Sequence, residues 1–177
     1  MRLPALDTSH RARFMLFLAC LALPLTAAAG GNITISRQAA FDSKMNVPDA
    51  VRAECDLPNK VSRFVQEFSE KGFDKVTLAD NVSAGTPGKA LALKITDVLG
   101  TGGGAWSGYK QVTVEGTLWE NGKVIGTFRD TRYSGGGAFG GYKGTCAILG
   151  RCTKAIGKDV ASWLQAPTMN ARLGDAK

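Results

Sequence analysis

The sequence predicts an α/β fold of the α+β type. Two helices cover one face of a mixed, mostly antiparallel sheet of about five strands, giving a two-layer sandwich. Three observations lead there. Short stretches of alternating apolar and polar residues are set off by glycine, asparagine and proline. Two segments carry apolar residues at helical spacing. The strands are apolar on one side only, which calls for both helices on that side.

Residues 1–29 have the pattern of an export signal. Arg11 and Arg13 form a basic region, Phe14 to Leu25 an apolar stretch too short to span a bilayer, and Ala27-Ala28-Ala29 a small-residue cleavage site. The expected mature chain starts near Gly30. Leu18-Ala19-Cys20 also resembles a lipoprotein box, which would make an acylated Cys20 the first residue. The apolar run continues through Leu21, Leu23 and Leu25, which favours cleavage after Ala29. The expected location is therefore the periplasm, with a form anchored through Cys20 as the alternative and no transmembrane segment.

Removing Arg2, Arg11, Arg13 and Asp7 takes the net charge from +7 to +5. The remaining charges are scattered singly, which is the pattern of a solvated surface rather than a nucleic-acid-binding one. A chain of this length suits one domain, expected over residues 30–166, with a loose polar tail over 167–177.

The elements follow in order. Ile33 to Arg37 alternates as a strand. A helix opens near Asp56, a candidate N-cap with Pro58 in the first turn. Leu57, Val61, Phe64, Val65 and Phe68 line its apolar stripe, and Gly72 ends it. Lys75 to Ala79 is a short strand, and Asn81 to Lys89 a loop. Leu91, Leu93 and Ile95 line a longer strand.

Next comes a hairpin around Asn121-Gly122. A two-residue loop would pair Val114 with Arg129. A three-residue loop, Glu120-Asn121-Gly122, pairs Val114 with Phe128 and Leu118 with Val124. The second register is preferred because it keeps one face apolar. Thr113, Glu115, Thr117, Thr127, Arg129 and Thr131 then face solvent. A helix over about Thr153 to Leu164 buries Ile156, Val160, Trp163 and Leu164, and Pro167 ends it.

Cys55, Cys146 and Cys152 survive processing, so one disulfide and one thiol are expected in an oxidising compartment. A short Cys146–Cys152 loop around Gly150 is favoured. If a continuous helix runs from Cys146, the two lie on different faces, and Cys55 must pair with one of them.

The most specific signal is a phrase that occurs twice. Gly102-Gly-Gly-Ala-Trp-Ser-Gly-Tyr-Lys110 returns as Gly135-Gly-Gly-Ala-Phe-Gly-Gly-Tyr-Lys143. The hairpin lies between the copies, so both must fall at the end of the sheet opposite its turn. Trp106, Tyr109, Lys110, Phe139, Tyr142 and Lys143 are the candidate binding residues, gathered at one rim. Glycines allow close backbone approach, aromatic faces stack on sugars or side chains, and lysines attract anions. The competing role, strongest for Trp106 and Phe139, is to fold inward and plug the open end of the core.

Neither copy has the ending or the strand–helix context of a phosphate loop. The sole histidine, His10, lies in the signal, so neither a catalytic triad nor a zinc site is expected. Asp97, Glu115 and Asp130 are plain surface or strand acids by position. No cofactor is expected. Arg151 and Lys154 flank Cys152, a hint of a reactive thiol.

Through Trp106–Lys110, Gly135–Lys143 and Gly157-Lys-Asp-Val-Ala-Ser-Trp-Leu164, the chain resembles an uncharacterised family of exported proteobacterial proteins, over roughly residues 33 to 173. It is also similar in architecture to small envelope lipoprotein domains related to the N-terminal fold of TolB. The resemblance implies residence in the cell envelope and brings no assigned activity. The expected function is that of a non-enzymatic periplasmic accessory domain contacting an envelope protein or a peptidoglycan-like glycan. The alternative is a small hydrolase or thiol-redox protein.

Overall fold

The computed structural model describes residues 30–45 and 47–176. The export signal, Cys20 and His10 lie outside the described residues. The chain runs β1 (Asn32–Ser36), β2 (Ala40–Phe41), α1 (Asp49–Glu54), α2 (Leu57–Ser69), β3 (Lys75–Ala79), β4 (Lys89–Leu99), β5 (Lys110–Glu120), β6 (Lys123–Ser134), α3 (Thr145–Trp163) and β7 (Ala171–Gly174). Short 3-10 turns at Gly104–Ser107 and Gly140–Tyr142 sit in the two glycine loops.

The fold is α/β with one mixed sheet, as expected, but among the described residues there are three helices rather than two and the sheet has seven strands rather than five. Its order is β3-β1-β4-β5-β6-β7, with β2 also paired to β4. The long central strands β4, β5 and β6 are antiparallel. The edges are parallel: β1 with β3 and β4, β2 with β4, and β7 with β6. Strand β2 escapes sequence reading because two residues cannot establish an alternation. Strand β7 falls where the polar composition predicts a loose tail. It forms because Ala171 and Leu173 pack at the margin of the core beside Phe128 and Asp130.

The core lies between one sheet face and the helices. Ile33, Ile35, Leu91, Leu93, Ile95, Val112, Val114 and Leu118 meet Leu57, Val61 and Val65 of α2 and Ile156 and Val160 of α3, all nearly inaccessible to water. Asp56 does occupy the N-cap of α2, but in a left-handed conformation and without a side-chain bond to a backbone N–H of the first turn. Its carboxylate accepts from Asn59 Nδ2 instead (2.6 Å).

The hairpin differs from both registers considered. Asn121 and Gly122 each have positive φ (50° and 83°), as a two-residue type I′ turn requires. The loop is thus the shorter one, and a bulge next to Leu118/Trp119 absorbs one residue: Trp119 opposes Val124, whereas Leu118 opposes Gly126. Val114 therefore faces Asp130, and Gly116 faces Phe128. Glycine at 116 and 126 leaves room for the rings of Phe128 and Trp163, which meet edge to face at 4.9 Å. Missing side chains make space for large ones, so strict alternation of apolar residues is not needed. Asp130, two residues on from Phe128, lies on the same inward face of β6 and is buried rather than a plain surface or strand acid.

Helix α3 begins eight residues earlier than its apolar stripe implies and runs straight through Gly150. Cys146 and Cys152 are thereby fixed on different faces. The favoured Cys146–Cys152 bridge is corrected: the disulfide joins Cys55 and Cys146, tying the chain between α1 and α2 to the first turn of α3. Cys152 is a buried free thiol.

Candidate binding rim

The repeated phrase is a repeated backbone. Gly103 and Gly136 have φ of 88° and 87°, and Gly104 and Gly137 have φ of 57° and 65°. These left-handed conformations are open to glycine and strained for other residues, which is why both copies carry the run. The loops also touch. A β-carbon on Gly104 would strike the carbonyl of Lys143, and one on Gly140 would lie 3.4 Å from Ala105 Cβ. Thr145 Oγ1 donates to the Thr101 carbonyl (3.1 Å), fastening the first loop to the start of α3.

The four loop aromatics do not plug the core. Trp106 is 83% exposed, Phe139 80%, Tyr142 90% and Tyr109 55%. The open end of the sandwich is closed by backbone instead: Gly104, Gly136 and Gly140 are buried while their aromatic neighbours point outward. Trp106 reaches across to the second copy, where the absence of a side chain on Gly141 makes room for it. A β-carbon there would be 3.0 Å from Trp106 Cζ2. Tyr109 meets Tyr133, from the end of β6, edge to face at 5.8 Å. Tyr133, 57% exposed, thus joins the rim. The signal was available, since Tyr133 is the last residue before the second copy and sits on the solvent parity of β6.

The lysines serve the loops rather than the surface. Lys110 is fully buried, and its ammonium donates to Ser107 Oγ (2.8 Å) and the Gly108 carbonyl (3.1 Å). Ser107 Oγ in turn lies against the carbonyls of Gly102 and Gly104. Half-buried Lys143 donates to the carbonyls of Gly136 (2.8 Å) and Ala138 (3.1 Å). Each ammonium pins its own loop by bonding that loop's oxygens, a use of lysine that spacing alone does not reveal. The expected outward-facing cation pair is absent from the described rim. The guanidinium of Arg151 rests against Gly137.

Beside the first loop, a groove of about 590 Å³ runs between α1 and the start of α3. It is lined by Val51, Cys55, Gly102, Gly103, Gly144 and Cys146. Cys152 lies deeper, its Sγ 3.6 Å from the Lys110 carbonyl, and burial pushes its thiol up to about 11. Arg151 and Lys154 do not create the electropositive setting that their positions beside Cys152 suggested.

A second polar group lies under β7. Arg132 makes a two-pronged ion pair with Asp159 of α3 (2.6 and 2.8 Å) and approaches Asp175 at 3.6 Å. Asp130 is fully buried next to them, with neither carboxylate oxygen hydrogen-bonded. Burial, reinforced by the nearby Asp159 charge, raises its carboxyl to about 8. Among the described residues, no group of three or more His, Cys, Asp or Glu is placed to hold a metal ion. No described helix is long and apolar enough to cross a membrane.

No family model matches this chain, and no curated protein matches it. Among solved structures, the protein XCC0632 from Xanthomonas campestris, described under the family name DUF330, is similar over 81% of this chain and 88% of its own. The TM-score is 0.50 and the identity 10%. A PelC dodecamer from Paraburkholderia phytofirmans aligns over 74% of this chain and 89% of its own, with TM-score 0.47 and 16% identity. At 10% identity, the likeness to the Xanthomonas protein is one of fold.

Proposed function

We propose that this protein is an exported, non-enzymatic accessory domain of the cell envelope that binds an envelope protein or glycan through the aromatic rim. One observation carries the reading. Trp106, Phe139 and Tyr142 are each at least 80% exposed on two touching loops, joined by Tyr109 and Tyr133. Large apolar side chains scattered singly over a surface need no explanation, whereas a contiguous group of them marks an interaction site.

Envelope residence rests on the export-signal pattern of residues 1–29, on the resemblance to exported envelope proteins, and on the Cys55–Cys146 disulfide, which suits an oxidising compartment. N-terminal sequencing of the exported protein should find Gly30 or a residue beside it. An acylated Cys20 would overturn the soluble form.

The thiol-redox alternative is disfavoured by Cys152, the one free thiol among the described residues, because a buried group with a raised pKa is a poor nucleophile. The binding reading is tested by capture from envelope extract with the mature protein and a Trp106→Ala/Tyr142→Ala variant. Loss of a specific partner in the variant supports the rim. Identical capture by both proteins sinks it.

A further inference from the structure

We infer that the rim takes an uncharged glycan strand, with Trp106, Phe139 and Tyr142 stacking on sugar faces and the exposed glycine backbone meeting sugar hydroxyls. This rests on the binding role proposed for the rim and narrows its ligand.

The charge of the site points away from ionic partners. Between Leu99 and Lys110, and again between Tyr133 and Ala147, the only charged residues are Lys110 and Lys143. Both ammonium groups are spent on loop oxygens. Arg151 at the border is one exposed cation, too few to draw a polyanion. Recognition must come from ring faces and neutral hydrogen bonds.

A lipid surface suits those rings less well than a sugar. Gly102, Gly103, Gly135 and Gly137 lie exposed among the aromatics, so that peptide groups and rings alternate along the loops. Inserting the rings into hydrocarbon would carry this backbone with them and strip it of water without replacement. A sugar offers C–H faces to the rings and hydroxyls to the backbone. Trp106, Tyr109, Tyr133 and Tyr142 each add a polar tip to an apolar ring, which matches the same mixed chemistry.

Phe139 supplies an independent argument. It has φ 58° and ψ 27°, a left-handed conformation that strains a bulky residue, and it is 80% exposed. Glycine would relieve that strain at no cost to the core, because the phenyl ring contributes almost nothing to it. Such strain is maintained where the side chain has work to do.

The test is titration of the mature protein with chitohexaose and cellohexaose, and separately with polygalacturonate and with phosphatidylethanolamine/phosphatidylglycerol vesicles. At least one neutral hexasaccharide should bind, with a Kd that changes less than about twofold between low and physiological salt. Phe139→Gly and Trp106→Ala should each weaken it by about tenfold or more. Phe139→Gly should melt no lower than the parent, which separates lost binding from lost folding. Failure of both neutral glycans to bind would overturn the inference. So would binding unaffected by Phe139→Gly, a clear preference for polygalacturonate, or a clear preference for vesicles. If the rim instead captures an envelope protein in a Trp106- and Tyr142-dependent way while neither glycan binds, the wider binding role stands and only the glycan is wrong. If nothing depends on the rim, both fail.

Discussion

Gly174 closes directly over Asp130. The glycine ends β7 with φ 62°, and a β-carbon there would collide with the Asp130 carboxylate, so no other residue fits without displacing it. The last strand thus seals a carboxyl group that has no hydrogen-bonding partner. Arg132, on the same strand face two residues on, is committed to Asp159 and Asp175.

That arrangement predicts a pH dependence. Burial raises the Asp130 carboxyl to about 8, whereas in the unfolded chain it titrates near 3.9. Between these values the folded state holds more protons than the unfolded one. Stability from this group is therefore greatest below about pH 4, falls as pH rises towards about 8, and changes no further above that. The loss is on the order of a few kcal/mol. Urea unfolding at a series of pH values should show the decline, and Asp130→Asn should flatten it. An unchanged slope in Asp130→Asn would assign the pH response to other groups.

Cys55 and Cys146 close a loop spanning 91 residues that includes α2 and most of the sheet. Reduction, or Cys55→Ser with Cys146→Ser, should lower stability by about 2–5 kcal/mol. Cys152 should remain unreactive to iodoacetamide in the native protein at neutral pH and label only on denaturation, since burial holds its thiol near 11. Mass spectrometry of native and denatured samples reads both results. Fast native labelling of Cys152 would revive the thiol-redox alternative.

What the sequence conceals here follows from how each signal arises. The helix stripes, the central strands and the adjacency of the two glycine loops depend on periodicity and chain order, and they were legible. The pairing near a bulge was not: one extra residue beside Leu118 shifts the register so that Asp130, on the same face of β6 as Phe128, opposes Val114 and is buried. Lys110 misled for a related reason. A lysine beside a glycine loop resembles an anion site in composition, and only the fold reveals its ammonium turned onto Ser107 and Gly108. Cys146 pairs with Cys55 rather than Cys152 because Gly150, a residue that favours a break, sits inside a continuous helix.

The exposed aromatics make a prediction about stability as well as binding. Trp106→Ala and Tyr142→Ala remove side chains that are 83% and 90% exposed, so each should change unfolding free energy by under about 1 kcal/mol. Tyr109→Ala loses its edge contact with Tyr133 and should cost about 0.5–1.5 kcal/mol more. Chemical denaturation of the three variants checks the order. A loss of about 3 kcal/mol or more at Trp106 or Tyr142 would place that ring in the core instead.

Two glycines in α3 should respond to alanine in opposite directions. At Gly150 an added β-carbon meets nothing within 4 Å, so Gly150→Ala should gain the usual helical advantage of about 0.5–1 kcal/mol. At Gly157 the same carbon would lie 2.6 Å from Phe64 Cβ and 2.8 Å from the Phe64 carbonyl carbon, because α2 and α3 cross there almost backbone to backbone. Phe64 backbone cannot step aside without moving α2 off Val160 and Ile156. Gly157→Ala should therefore destabilise by about 1–3 kcal/mol, overpacking outweighing the gain in helix propensity. Thermal melts of both variants decide the matter: a rise for Gly150→Ala with a fall for Gly157→Ala supports this crossing, and equal rises would mean that the two helices sit farther apart.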